Sequence, residues 1–224
     1  GLKPGWINIM AIVGPVRVKG HSAVIRYTAP GTALKRRIGW FERNAAPGFD
    51  ALLGPGAVSA PIVTFRLRAT SAGERQFRLP LVDGGYGGMG SAVMIGKHRV
   101  LLRWAFDRAE TTANAKTGQI LSEARSGRWT SRTSELPVAF GISRPHREMA
   151  LGTPVSVGPF HIPTVMIRTT GTEDAPTDPD EIIVTASKKK QKGPGAIVFG
   201  RDALAACSTL TFDKVRKEVR LSCL

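Results

Sequence analysis

Cys207 and Cys223 are the only two cysteines, and both fall in the last 18 residues. Between them, 208–212 and 218–222 read as strands around a turn from Asp213 to Lys217. If that turn centres on Val215, facing residues have numbers that sum to 430, as 207 and 223 do. Directly opposed positions bring two sulfurs within reach of a cross-strand disulfide. The chemistry would be oxidation of a thiol pair in a compartment such as a periplasm; two buried free thiols are the alternative. The four histidines are scattered and, with the terminal cysteines, show no metal-ligand spacing. Serines are present, but no Gly-x-Ser-x-Gly elbow accompanies them. No metal site and no cofactor is expected. The carboxylates that stand next to patterned segments are Asp107, which follows an apolar strand, and Asp50, which precedes an apolar-apolar-Gly step.

The elements that must position these groups are short runs of Val, Ile, Leu, Thr and Phe broken by 25 Gly and 15 Pro, so the chain is expected to be all-β. A pattern occurs twice. Val16–Gly20 and Val24–Tyr27 lead to Leu52-Leu53-Gly54 and then Ile62-Val63-Thr64-Phe65. Val93–Gly96 and Val100–Trp104 lead to Val198-Phe199-Gly200 and then Leu210-Thr211-Phe212. From Gly to Phe is 11 residues in the first copy and 12 in the second. The repeat predicts two lobes, 3–82 and 91–224, joined by the Gly-rich connection 83–90, with the working site in the cleft between them. Residues 62–67 and 76–81 are expected to pair as a hairpin, as are 153–157 and 164–168.

The charge bounds the partners. Lys and Arg number 32 against 17 Asp and Glu, a net charge of +15, which permits binding to anionic lipid or lipopolysaccharide. Nucleic acid is not indicated, because the basic residues are spread along strands such as 66–78 with no RNP-like box or helix-turn-helix pattern. Residues 171–195 hold an acidic, Pro-rich block, a short β segment and a Lys-rich block, which reads as a long exposed insertion, a flap or docking arm. No run of 18 apolar residues exists, so no transmembrane segment is expected. The start Gly1-Leu2-Lys3-Pro4 carries no signal-peptide pattern and reads as that of a mature or trimmed product.

In the second copy, 95–107 reads as a strand pair leading to Asp107, 195–204 as an apolar-Gly step with a short helix, and 209–221 as a closing hairpin. This arrangement resembles the aspartic peptidases of the pepsin and retropepsin type, and 49–55 resembles the same apolar-Gly step in the first copy. The resemblance implies a two-lobed acid-protease-like β-barrel fold with an internal pseudo-repeat. It also implies a dyad of two carboxylates about 3 Å apart that share a proton. Family members open each dyad turn with Asp-Thr/Ser-Gly. Here Asp107 is followed by Arg108 and Ala109, and the matching stretch of the first lobe reads Ala29-Pro30-Gly31 with no Asp. Ala29, Pro30, Gly31, Arg108 and Ala109 are thus the expected substrate-cleft turns, Asp107 is the expected catalytic residue, and Asp50 is an acid that could be recruited from its own turn beside the apolar-Gly step. The expectation is a pseudo-peptidase of the bacterial periplasm that binds an extended peptide or a protein partner, or serves as a subunit of an envelope assembly. The alternative is an active aspartic endopeptidase with an unusual second carboxylate. Residues 180–186 are also similar to the segment near the mature start of TonB-dependent outer-membrane receptors, which implies an outer-membrane or periplasmic complex.

Overall fold

A computed structural model describes residues 8–13, 16–29, 32–44, 52–85, 88–169 and 194–224. The first three strands are β1 (Asn8–Val13), β2 (Val16–Ala29) and β3 (Thr32–Phe41), which form an antiparallel sheet in that order. After the short 3-10 turn Pro55–Ala57 come β4 (Ile62–Arg66), β5 (Arg75–Pro80), β6 (Val82–Gly85), β7 (Gly88–Ile95) and β8 (His98–Trp104). Next are β9 (Thr112–Ala113), the helix α1 (Ala115–Arg125), β10 (Arg128–Ala139), β11 (Ile142–Val157) and β12 (Phe160–Arg168). The chain closes with β13 (Gly195–Phe199), the one-turn helix α2 (Arg201–Leu204), β14 (Cys207–Asp213) and β15 (Glu218–Cys223). The molecule is therefore all-β in class.

Two further sheets complete it. An eight-stranded sheet runs β10-β11-β12-β9-β13-β8-β7-β6, and a four-stranded sheet runs β4-β14-β15-β5. Among the described residues there are three sheets, and none of them closes into a barrel. The main core lies where the four-stranded sheet meets the eight-stranded one. Leu210, Phe212, Val219 and Leu221 pack with Val155, Phe160 and Phe199 there. Phe160 stacks on Phe199 with ring centroids 4.1 Å apart, and Trp104 lies against both Phe199 and Phe212. A smaller core joins the three-stranded sheet to the tip of the β10–β11 hairpin through Val13, Val18, Phe140 and Ile142.

Several sequence expectations change. Residues 62–67 and 76–81 do not pair with each other. The C-terminal hairpin inserts between them, β14 pairing with β4 and β15 with β5. The physical reason is burial: Leu210, Val219 and Leu221 are fully buried only as central strands, whereas β4 and β5 alternate exposed and partly buried residues as edges do. Strands on both sides of the expected lobe boundary thus share one sheet. On either side of 86–87, which lie outside the described residues, β6 pairs with β7, Val82 opposite Gly90 and Asp83 opposite Met89. The two sequence copies also fold differently. Gly96 and Lys97 make the turn between β7 and β8, whereas Gly20 lies inside the continuous strand β2. There a Cβ would sit 2.5 Å from the Trp40 carbonyl oxygen, so the glycine serves close strand approach. Leu52 and Leu53 are 63% and 62% exposed, while Phe199 of the equivalent step is fully buried.

The helix α1 was not expected from the sequence. Asn114 caps it, its Oδ1 accepting from the Thr117 amide at 3.0 Å and from the Thr117 hydroxyl at 2.8 Å. In β11 and β12 the expected segments 153–157 and 164–168 are parts of longer strands joined at Gly158 and Pro159. Of the charged insertion, 171–193 lies outside the described residues, and Gly195 already belongs to β13.

Candidate functional site

The turn 105–111 that carries Asp107 is built by what surrounds it. It leaves β8 at Trp104, whose neighbour Ala105 donates its amide to the Phe199 carbonyl at 2.9 Å. The β8 strand runs parallel to β13, so the end of β8 and the Gly200 step lie side by side. The first amides of α2 then hold the turn. Arg201 N donates to the Arg108 carbonyl at 2.9 Å, and Asp202 N donates to the Ala109 carbonyl at 3.0 Å. Asp202 in turn accepts from Thr111, from its amide and from its hydroxyl, each at 2.8 Å. The Thr111 hydroxyl also accepts from Gly200 N at 3.2 Å. At Gly200 a Cβ would lie 2.6 Å from the Glu110 carbonyl carbon and oxygen, so only glycine lets the two loops meet.

On this turn Asp107 is exposed and Arg108 is half-buried. The Arg108 guanidinium reaches across the sheet, one Nη donating to the Val138 carbonyl of β10 and the other to the Thr112 hydroxyl at 3.3 Å. Burial pushes the Arg108 pKa down, the Asp107 carboxylate opposes this, and Arg168 and Arg103 add to the lowering. An arginine starts so high that the group stays charged. Glu110 is committed elsewhere, to Arg132 at 2.7 Å, which also holds Glu148 at 3.0 Å. Ala109 is exposed beside it.

The structure brings Asp107, Arg108 and Ala109 together with the Gly200 step. Ala29 ends β2, while Pro30, Gly31 and Asp50 lie outside the described residues. Cys207 and Cys223 are joined by a disulfide. Their pairing departs from the simple register. Thr209 to Asp213 face Ser222 to Glu218, one residue out of step, and a bulge at Ser208 restores Cys207 to Cys223. Beside the disulfide, Glu74 accepts from the Ser208 and Ser222 hydroxyls and from the Ser71 amide, and pairs with Arg68 at 2.8 Å. Chiefly the Ser208 hydroxyl, against the opposing effect of burial, holds the Glu74 carboxyl down at about 2.

Sequence reasoning missed Arg103, His146 and Arg168, which border a cavity on the sheet next to Arg108. His146 and Arg168 sit opposite each other on β11 and β12, 2% and 7% exposed. Polar residues at buried strand positions are the signal, legible only once the inward face of each strand is known. Among the described residues no group of three or more His, Cys, Asp and Glu gathers to hold a metal ion. Among them, too, no helix is long and apolar enough to cross a membrane. No protein-family model matches the chain, and no curated protein is similar to it at a significant level.

Proposed function

We propose that this chain is an aspartic-peptidase-like protein of the bacterial cell envelope whose turn at Asp107 serves binding and not peptide-bond hydrolysis. The observation that carries the reading is the use made of Arg108. A shared-proton dyad needs two turns whose small residues let the carboxylates approach to about 3 Å. Here the residue after Asp107 is a bulky cation, half-buried and hydrogen-bonded to Val138 and Thr112. The stretch 27–32, which would deliver the second carboxylate, contains no acid.

What supports the peptidase-like half of the reading is the set β7, β8, the Asp107 turn, β13, the Gly200 step and the closing hairpin β14–β15. These occupy the order that the resemblance implies within 88–224. The acid-protease-like fold is proposed for that part. An extended peptide or a segment of a partner protein is the natural ligand of such a surface, because β6 and β10 are the outer strands of the large sheet among the described residues and a chain in β conformation can add to an edge. The periplasmic placement rests on the disulfide, which persists in oxidising compartments. The net charge of +15 supports contact with anionic lipid or lipopolysaccharide in an envelope assembly.

Immobilised protein exposed to an unbiased peptide library tests the binding claim. Retention of extended peptides at full length is the expected result. Absence of any retained peptide by folded protein would remove the binding reading.

A further inference from the structure

The three-stranded sheet carries charge of one sign. Residues 8–41 contain Arg17, Lys19, Arg26, Lys35, Arg36 and Arg37 and no Asp or Glu. One end of the sheet is anchored, with Ala11, Val13 and Val18 packed against Phe140 and Ile142 at the tip of the β10–β11 hairpin. Among the described residues β1 reaches only as far as His21, and beyond it β2 and β3 continue as a two-stranded ribbon to the pair Ala29 and Thr32. Side chains alternate between the two faces of a strand. The face that buries Val18 therefore shows Val24 and Arg26 on β2, and their partners Arg37 and Lys35 on β3. All four are exposed, Val24 at 49%. Arg26 lies about 26 Å along the strand from Val18, well beyond the anchoring core.

Directly opposed residues of an antiparallel pair are about 5 Å apart, and same-face residues along a strand about 7 Å apart. Arg26, Lys35 and Arg37 thus form one small cationic patch with Val24 at its side. Arg37 is steadied by its bond to the Ser22 hydroxyl at 3.1 Å. Arg26 stands directly opposite Lys35, an arrangement that weakens a sheet because like charges repel. Folding gains nothing from it, whereas a polyanion laid on the patch turns the repulsion into attraction. The partner that uses every part of the patch is a lipid surface. Its phosphates meet the cations, and the exposed valine enters the boundary between headgroups and acyl chains. In an oxidising compartment, which the Cys207–Cys223 disulfide supports, the extended anionic surface is a membrane.

We propose that the distal β2–β3 ribbon is a membrane-contacting surface, which sets Arg26, Lys35, Arg37 and Val24 on the headgroups of an anionic lipid bilayer. This rests on the envelope placement proposed above and names the part of the chain that makes the lipid contact. The attachment is peripheral and electrostatic, so it weakens as salt screens the charges.

Co-sedimentation of the whole protein with vesicles tests it, phosphatidylglycerol mixed into phosphatidylcholine against phosphatidylcholine alone, at about 0.15 M salt. Retention on the anionic vesicles only, fading as salt rises, is expected. Arg26→Gln together with Lys35→Gln should weaken it about 25-fold, about fivefold for each cation removed. Both positions are exposed, and the pair leaves the bond between Arg37 and Ser22 in place. Arg75→Gln together with Arg78→Gln removes the same charge from exposed positions on β5 and should leave retention within about twofold. Val24→Thr keeps the side-chain shape and should weaken retention on vesicles while leaving binding to soluble heparin unchanged. No retention of the parent would remove the lipid contact altogether. Equal weakening by the two charge pairs would keep the lipid contact as an effect of net charge and overturn the role of the ribbon. Equal vesicle affinity of Val24→Thr and the parent would mean that this face does not meet the bilayer.

Discussion

At the scale of single residues, the identity of position 108 decides what the Asp107 turn can do. Arg108 is a bulky cation whose two Nη groups donate to Val138 and Thr112. The sequence made this legible, because Asp107, Arg108 and Ala109 stand in a recognisable order after an apolar strand. The partners of Arg108 were not legible, since β10 lies 30 positions away in the chain. Glu74 was likewise silent as sequence, an acid in a turn, yet its side chain is only 4% exposed and gathers two serine hydroxyls, an amide and Arg68. Its folded pKa of about 2 lies below the ordinary 4.5, so it adds stability that is complete above 4.5 and fades as pH falls towards 2. Acid melting curves of Glu74→Gln should therefore lie below the parent at pH 6 and converge on it near pH 2. A constant gap between the two curves across that window would contradict the assignment.

Among the elements, the informative case is the contact between the 105–111 turn and α2. Six hydrogen bonds among Ala105, Arg108, Ala109, Thr111, Phe199, Gly200, Arg201 and Asp202 tie a loop to a step 89 or more residues away. The apolar-Gly step was readable in the sequence, and its reason is the 2.6 Å approach to Glu110. Gly200→Ala should destabilise the fold by about 1–3 kcal/mol, the usual cost of forcing atoms into a packed contact. It should also move the Asp107 and Arg108 amide signals in an NMR spectrum. An unperturbed melting temperature and spectrum would mean that the step does not hold the turn. The helix α1 escaped notice because 115–125 carries Thr, Gly and Ser among its apolar residues, and its stability comes from the Asn114 cap and from packing on the sheet. Strand character was plain from composition, but which strands pair was not. The inserted C-terminal hairpin shows why: pairing follows burial in three dimensions, and β4 and β14 are separated by 140 residues of sequence.

For the whole molecule, that insertion makes the C-terminal hairpin the centre of a sheet whose edges come from 62–80. The Cys207–Cys223 disulfide closes the open end of the hairpin. Cross-linking residues 16 apart stabilises a fold by about 3 kcal/mol through the unfolded chain. Replacing both cysteines by serine should lower stability by that order and loosen β4 and β5 together, measured by denaturant melts and amide exchange. Loss of protection in β14 and β15 alone would show that the outer strands stand without the hairpin. The pseudo-repeat was the strongest pattern in the sequence, yet the two copies differ as folded objects. Short apolar runs ending in Gly are compatible both with a turn, as at Gly96, and with close strand packing, as at Gly20.

The most direct test of the central claim is cleavage of an unbiased peptide library between about pH 3 and 8, the range over which a coupled carboxylate pair acts. The folded protein and its Asp107→Asn variant would be compared by mass spectrometry of the products. The account predicts intact peptides from both. Cleavage by the parent that disappears in Asp107→Asn would contradict it, making the chain an endopeptidase with a second carboxylate still to be located.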